Sequence, residues 1–173
     1  SHFLFNAINN LRSLVKEDAE QAREGLANLS VLLRGLLNND GQQLVTLREE
    51  MEWVRGYLSL EALQFENRLS TTIEVDETLL AAKLPPLILQ TLVENAIKHG
   101  IAARRAGGQL TITIKKSTPT HWQIKVMNPP PEFQPTHQGN QIGLRNARER
   151  LQIAFGEHAS LNLEIAQDVT ATV

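Results

Sequence analysis

Cysteine is absent from the 173-residue chain, and aromatic residues make up only 5% of it. The missing thiols exclude disulfides, thiol nucleophiles and cysteine-ligated zinc sites, and they suit a reducing compartment. No apolar run in the sequence reaches the roughly 18 residues that a helix needs to cross a bilayer, and no signal peptide is recognisable. Because the formal net charge is −2, no basic surface points to nucleic acid as a partner.

The chain does have enough apolar residues, 42%, to bury a sizeable core. At about 150 residues per domain, this length fits one domain, or one domain with a helical appendage. The first residues open in the middle of a sequence motif. We therefore expect a fragment of a longer protein, whose only link to a membrane would be a sensor region upstream of Ser1.

Residues 1–69 carry a helical apolar repeat almost throughout. The first stripe consists of Leu4, Ile8, Leu11, Val15, Ala22, Leu26, Leu29, Leu33 and Leu36. It crosses the charged stretch 16–20 and ends at a turn over 38–41, and a capping box at Thr46–Glu49 opens a second helix. A long hairpin of this kind has more apolar surface than two helices can bury, which predicts a dimeric four-helix bundle. The alternative is a hairpin docked on the following domain.

From residue 70 to residue 173, short alternating runs mix with helical stretches, which predicts an α+β sandwich with helices on one face of a mixed sheet. Strands are expected at 71–75, 109–115, 122–127 and 161–165. Helices are expected at 86–99 and 144–155, and the first begins at a proline, whose missing N–H costs nothing there. The predicted domains are thus 1–69 and 70–173.

The helix expected at 86–99 ends in an amide, a lysine and a histidine. Its apolar spacing turns one face to a core and brings Asn95, Lys98 and His99 together at one edge. An amide oxygen suits Mg²⁺ and an ammonium suits phosphate, so this edge is a candidate site for a metal–nucleotide complex. A Lys-His-Gly ending is also ordinary C-terminal capping, and this pattern alone leaves both interpretations open.

Three separated motifs stand out in the sequence. They are His-Phe-Leu-Phe-Asn at 2–6, Val-Glu-Asn-Ala-Ile-Lys-His-Gly at 93–100, here called the N box, and Ile-Gly-Leu-Arg-Asn-Ala-Arg-Glu-Arg-Leu at 142–151. Together they resemble the motifs of the LytS/YehU-type sensor histidine kinases. They stand in the family's order, and the resemblance covers essentially the whole chain. It implies a dimerising phosphoacceptor region over 1–69 and a Bergerat-type ATP-binding domain over 70–173.

The resemblance implies an ATP:protein-histidine phosphotransferase of a two-component system, working as a homodimer at the cytoplasmic side of the inner membrane. ATP and Mg²⁺ would be its cofactors, and a response regulator of the LytTR type would receive the phosphoryl group on an aspartate. His2 would be the phosphoacceptor, and Asn6, one helical turn on, would hold its ring. Phe3 stands where commoner histidine kinases have an acidic residue, so another group or water would take the proton.

The resemblance also assigns the nucleotide site, with Asn95 as the Mg²⁺ ligand. The expected contacts with the nucleotide are Glu94, Asn95, Lys98, His99, Asn128, Gly139, Gly143, Leu144, Arg145 and Thr170. Backbone donors beside Gly143, at the start of a helix, would form an anion site. Asn128 occupies the position at which most members of the family have an adenine-reading aspartate.

Several positions depart from the family pattern. Thr91 stands where related ATPases carry a catalytic glutamate, which argues against a free-standing ATPase. Three prolines follow Asn128 in place of a flexible glycine turn, while Gln141 and Val169 replace glycines. These departures leave a second function open, that of a degenerate kinase serving as a dimeric signalling scaffold with weak or no nucleotide binding.

Overall fold

The computed structural model describes residues 2–37, 44–132, 141–165 and 169–172. The helices are α1 (His2–Glu17), α2 (Ala19–Leu37), α3 (Leu47–Phe65), α4 (Ile88–Ala96) and α5 (Gln141–Phe155). The strands are β1 (Val45–Thr46), β2 (Leu69–Val75), β3 (Lys83–Leu84), β4 (Gly108–Lys116), β5 (Trp122–Asn128), β6 (Asn162–Ile165) and β7 (Val169–Thr172). Within these ranges no helix combines the length and the apolarity that crossing a bilayer demands.

Five strands form a mixed sheet in the order β2-β4-β5-β7-β6. β2 runs parallel to β4, and the other neighbouring pairs are antiparallel. Alternate residues of the two central strands are buried beneath the helices, namely Ile112, Ile114, Ile124 and Val126. The predicted α+β class with a mixed sheet is therefore confirmed.

The helical region contains three helices where the apolar repeat predicted two. The first predicted helix runs unbroken across residues 16–20, but α1 ends at Glu17 and α2 begins at Ala19. Asp18 causes the break, because its Oδ1 accepts the Gln21 N–H at 3.0 Å and so caps a new helix. The prediction of one continuous helix was wrong at this point.

α1 then folds back along α2. A Cβ atom at Gly25 would lie 2.2 Å from Leu11 Cδ2, whereas a continuous helix would separate these positions by about 21 Å. Ala7, Leu11 and Leu29 are buried together in a small core of their own. The predicted turn at 38–41 lies outside the described residues.

α3 contributes to two cores. Leu60 closes the small cluster on α1 and α2, whereas Trp53 and Tyr57 belong to the large core beneath the sheet. The predicted capping box opens the helix, since Thr46 Oγ1 accepts the Glu49 N–H at 3.2 Å and Glu49 Oε2 accepts the Thr46 N–H at 2.7 Å. Because α3 shares the large core with residues beyond 70, the division at 69/70 stays a prediction.

Candidate nucleotide site

α4 carries the N box and packs against α3, α5 and β5. Its apolar face is fully buried at Leu89, Leu92 and Val93. Asn95 is half-buried and Lys98 is exposed, as the helical spacing predicted. The helix then widens into a π turn over Ile97–Ile101, a feature that is frequent at functional sites.

Gly100 serves a close approach between two parts of the chain. Its backbone is not left-handed, as a capping glycine would be, so the capping interpretation of this position is wrong. A Cβ atom at Gly100 would lie 2.1 Å from Asn128 Nδ2. The end of the N box therefore packs directly on the residue predicted to read adenine.

Asn128 is the last residue of β5 and is 3% exposed. Its Nδ2 donates to the Pro129 carbonyl at 2.8 Å, which fixes the orientation of the amide. β7 lies beside this strand end, with Val169 opposite Asn128 and Thr170 opposite Met127. The backbone of Thr170 is therefore close to the predicted adenine reader.

The start of α5 lies against α4 at a second point, Thr91. A Cβ atom at Gly143 would be 3.5 Å from Thr91 Cγ2, an ordinary van der Waals contact, and Gly143 is exposed. Asn95 follows Thr91 by four residues and shares its face of α4. The structure thus brings the predicted Mg²⁺ ligand and the predicted phosphate-binding turn to the same side of α4.

Thr91 does not replace the missing catalytic glutamate. Its Oγ1 donates to the Leu87 carbonyl at 2.5 Å, so the hydroxyl is used within the helix. A hydroxyl so bonded is a poor candidate for a general base.

We call the place where α4 and its π turn meet Asn128 and Gly143 the N-box junction. The other predicted nucleotide contacts lie on α4, its π turn and α5. Glu94 is exposed and accepts a hydrogen bond from Gln90 Nε2 at 2.8 Å, while His99 is half-buried. Leu144 packs on the large core, and Arg145 is exposed, with its Nε 3.9 Å from the Glu149 carboxylate. Gly139 lies outside the described residues.

The predicted phosphoacceptor residues lie on a different part of the fold. His2 begins α1, and Asn6 follows one turn later on the same helix. α1 packs on α2 and α3, whereas α4, which carries the N box, packs on α3, α5 and β5. The two parts thus share α3 and otherwise pack on different elements.

Glu50 is a site-supporting residue that the sequence interpretation missed. It is fully buried on α3, and its carboxylate accepts backbone N–H groups at the start of α4, from Leu87, from Leu89 at 2.8 Å and from Gln90 at 3.3 Å. Burial raises its pKa to about 7, against the effect of these hydrogen bonds and of the Arg150 charge. The available signal was its spacing, because Glu50 falls between Leu47 and Val54 on the apolar stripe of α3.

A second buried carboxylate, that of Glu61, lies further along α3. Burial raises its pKa, a hydrogen bond from the Tyr57 hydroxyl opposes that rise, and the Glu94 charge adds to it. Gln90 Oε1 is buried nearby on α4 and has no hydrogen-bond partner among the described residues. The interface between α3 and α4 is therefore acidic and polar as well as apolar.

A separate cavity of about 510 Å³ opens at the other end of the sheet. Its walls include Lys83, His121, Trp122 and Phe155, and of the three motifs only Leu151, the last residue of the third, contributes to them. Because β5 runs from Trp122 to Asn128, this cavity lies about 20 Å from the N-box junction. It is therefore not the candidate nucleotide site.

Comparison with known proteins finds histidine kinases, both by sequence and by fold. The family model described as histidine kinase matches residues 1–69. The sensor protein LytS of Oceanobacillus iheyensis is 37% identical over 94% of this chain and 30% of its own length. The sensor histidine kinase/phosphatase LytS of Staphylococcus aureus is 34% identical over the same shares. The chain thus spans about three-tenths of these curated relatives.

Among solved structures, the Acinetobacter baumannii histidine kinase AdeS aligns with a TM-score of 0.54 at 15% identity, over 93% of this chain and 80% of its own. That likeness concerns the fold, which is that of a histidine kinase catalytic domain and is consistent with the Bergerat type. The sequence matches specify the type of histidine kinase more closely than the fold does. They support a LytS-type histidine kinase and confirm the resemblance that the three motifs predicted.

Proposed function

We propose that this chain is the core of a sensor histidine kinase, which transfers the γ-phosphoryl group of ATP to His2 and then to an aspartate of a response regulator. The observation that carries the proposal is the position of the N box. α4 meets Gly143 through Thr91, and the π turn that follows meets Asn128 through Gly100. A single segment therefore borders both the predicted phosphate end and the predicted base end of a nucleotide.

The donor set at this junction fits Mg²⁺ and a triphosphate. Asn95 offers an amide oxygen, a hard ligand of the kind that Mg²⁺ takes, and Lys98 offers an ammonium group. Backbone N–H groups at the start of α5 suit phosphate oxygens. Bound Mg²⁺ would neutralise charge on the transferring phosphoryl group.

The acceptor chemistry asks little of the protein. A neutral imidazole is already a nucleophile, and histidine is largely neutral at physiological pH. In the proposed step the bond between the γ-phosphorus and the bridging oxygen breaks, a P–N bond to a ring nitrogen of His2 forms, and ADP leaves. The later transfer to a response regulator, which we expect to be of the LytTR type, breaks that P–N bond, forms a P–O bond to the aspartate carboxylate and releases the imidazole of His2.

We further propose that residues 1–69 make the chain a homodimer. Phe5, Ile8 and Val15 on α1 and Leu26 and Val31 on α2 are exposed although they are apolar, and Phe5 is 68% exposed. A second copy of this antiparallel pair would cover them and complete a four-helix bundle. We also expect that a sensor region upstream of Ser1 attaches the protein to the inner membrane.

A degenerate kinase remains the second candidate, and Asn128 favours it. Its amide is tied to Pro129, and three prolines follow it in place of a mobile glycine turn. Such a chain would still dimerise, but it would bind nucleotide weakly or not at all.

A phosphorylation assay with labelled ATP distinguishes the kinase from the signalling scaffold. A version of the chain that includes its own upstream residues is incubated with γ-labelled ATP and Mg²⁺, and the label is tested for acid lability and base stability. The kinase is expected to acquire such a label, and His2→Gln is expected to lose it while keeping its affinity for Mg-ATP. An unlabelled wild-type dimer that does not bind Mg-ATP would establish the scaffold instead.

A further inference from the structure

Three helices are joined at the point where α4 begins. Glu50 of α3 accepts the backbone N–H groups of Leu87, Leu89 and Gln90. Arg150 of α5 donates from Nη1 to the carbonyl of Pro86, the residue that precedes Leu87. The guanidinium and the carboxylate therefore hold the two ends of one peptide group, the Pro86 carbonyl and the Leu87 N–H, and we call this pair of contacts the α4 anchor.

The start of α4 depends on this anchor because it has no local cap. Leu87 occupies the N-cap position and provides no side-chain hydrogen bond. Its φ of 63° is left-handed, a conformation that is uncommon outside glycine and asparagine. The first N–H groups of a helix need partners, and here they find them on a residue 37 to 40 positions earlier in the chain.

The anchor also aligns α5 along α4. Arg150 follows Gly143 by seven residues, or about two turns, so both lie on the side of α5 that faces α4. Gly143 meets Thr91 at the nucleotide end, and Arg150 meets Pro86 at the beginning of the helix. With two contacts fixed, the distance between Asn95 and the start of α5 is set.

α3 extends this connection toward the phosphoacceptor helices. Leu60, ten residues after Glu50, is buried in the small core with α1 and α2. Ten helical residues span about 15 Å, so one rigid helix carries both contacts. α3 therefore connects the small core to the start of α4 without an intervening loop.

We propose that Glu50 and Arg150 are positioning residues that set the affinity of the nucleotide site by fixing α4 relative to α3 and α5. This inference rests on the proposed function, because it assumes that Asn95 and the start of α5 hold Mg-ATP. Neither residue touches the nucleotide in this assignment. Their effect is exerted through the spacing of the groups that do.

The test compares Glu50→Gln with Glu52→Gln, a matched control on the exposed side of the same helix. The dissociation constant of Mg-ATP is measured by calorimetry on the extended chain, and the free energy of unfolding is measured on the same samples in urea. We expect Glu50→Gln to weaken Mg-ATP binding about tenfold and Glu52→Gln to leave it unchanged. An amide has only one acceptor oxygen and cannot serve three N–H donors equally.

Arg150→Met supplies a second variant in case Glu50→Gln fails to fold. It should weaken Mg-ATP binding several-fold, Arg150→Lys should restore part of that loss, and the double variant should lose less than the sum of both. Lower stability with wild-type affinity in the folded Glu50 and Arg150 variants would overturn the anchor and leave the proposed function intact. A folded wild-type chain that does not bind Mg-ATP would overturn both.

Discussion

The contacts on the two sides of α4 differ in kind, because one side packs closely through glycines and the other faces buried carboxylates. Toward the nucleotide site, α4 and its π turn approach Asn128 and Gly143 through glycines and small contacts, with distances set by shape. Toward α3, they meet the buried carboxylates of Glu50 and Glu61. The first side should respond to added volume and lost ligands, whereas the second should respond to pH. The contacts at the candidate nucleotide site and the contacts with α3 are thus of different kinds.

Asn95→Ala should have the largest effect, and it should be confined to the nucleotide side. Removing the amide deletes the predicted Mg²⁺ ligand, while the half-buried position leaves no large cavity. We expect calorimetric titration with Mg-ATP to show no binding and urea unfolding to stay within about 0.5 kcal/mol of wild type. Unchanged affinity would remove Asn95 from the site.

The acidic side of α4 should show itself as a pH dependence of stability. Glu50 has a pKa of about 7 in the folded chain against 4.5 ordinarily, so the folded state binds its proton more tightly than the unfolded state does. Stability from this group is therefore complete below pH 4.5, falls as pH rises to 7, and is lost above that. The loss is on the order of 3 kcal/mol.

Urea unfolding of wild type and Glu50→Gln at pH 5 and pH 8 measures this effect. Only the wild type should show the Glu50 component, because the variant has no proton to lose there. Other titrating groups, Glu61 among them, contribute to both proteins and cancel in the difference. The same pH dependence in both would show that Glu50 keeps an ordinary pKa.

Gly100→Ala tests the shape-based side by adding one methyl group. The new Cβ would fall on the Asn128 amide, so the strand end or the π turn must move, at a cost of about 1–3 kcal/mol in unfolding free energy. Gly143→Ala is the matched control, since its Cβ would make only an ordinary contact with Thr91. Equal stabilities of the two variants would contradict the packing of Gly100 on Asn128.

Asn128→Asp should have the smallest effect and bears on base recognition. An amide presents either an acceptor or a donor, whereas a carboxylate only accepts and so favours the amino group of adenine over the carbonyl of guanine. Binding of ATP should tighten by up to about tenfold relative to GTP. Stability should fall, because the introduced carboxylate cannot donate to the Pro129 carbonyl. An unchanged ratio of ATP to GTP dissociation constants would exclude Asn128 as the base reader.

β2, β4 and β5 were predictable because each alternates over five or more residues, enough for a period of two to stand out. The pair of β1 and β3 was not, since each has only two residues and Val45 pairs with Leu84 across nearly forty positions. The helix break at Asp18 was missed for a related reason. Apolar spacing resumed after the charged stretch, and a single capping carboxylate outweighed that regularity.

The candidate site was predictable where chemistry depends on residue type, and less so where it depends on backbone path. The amide, lysine and helix-opening glycine could be located from the motifs, although their roles stay predictions. Gly100 was interpreted as a possible helix cap because the pattern Lys-His-Gly is typical of helix ends. The structure instead requires a glycine there because Asn128, distant in the sequence, packs directly against it. The role of Glu50 was missed because it depends on backbone N–H groups of α4, such as that of Leu89, which lie far along the chain and cannot be located from the apolar stripe of α3.

The π turn over Ile97–Ile101 makes chain length itself a determinant at this site. A π turn carries one residue more than an α-helical turn, and each residue of an α-helix turns the chain by about 100°. Deleting Ile97 would allow an unbroken α-helix and would rotate Gly100 away from Asn128, while leaving every polar group of the N box in the sequence. The contact between the N box and Asn128 therefore depends on the number of residues in this stretch as well as on their types.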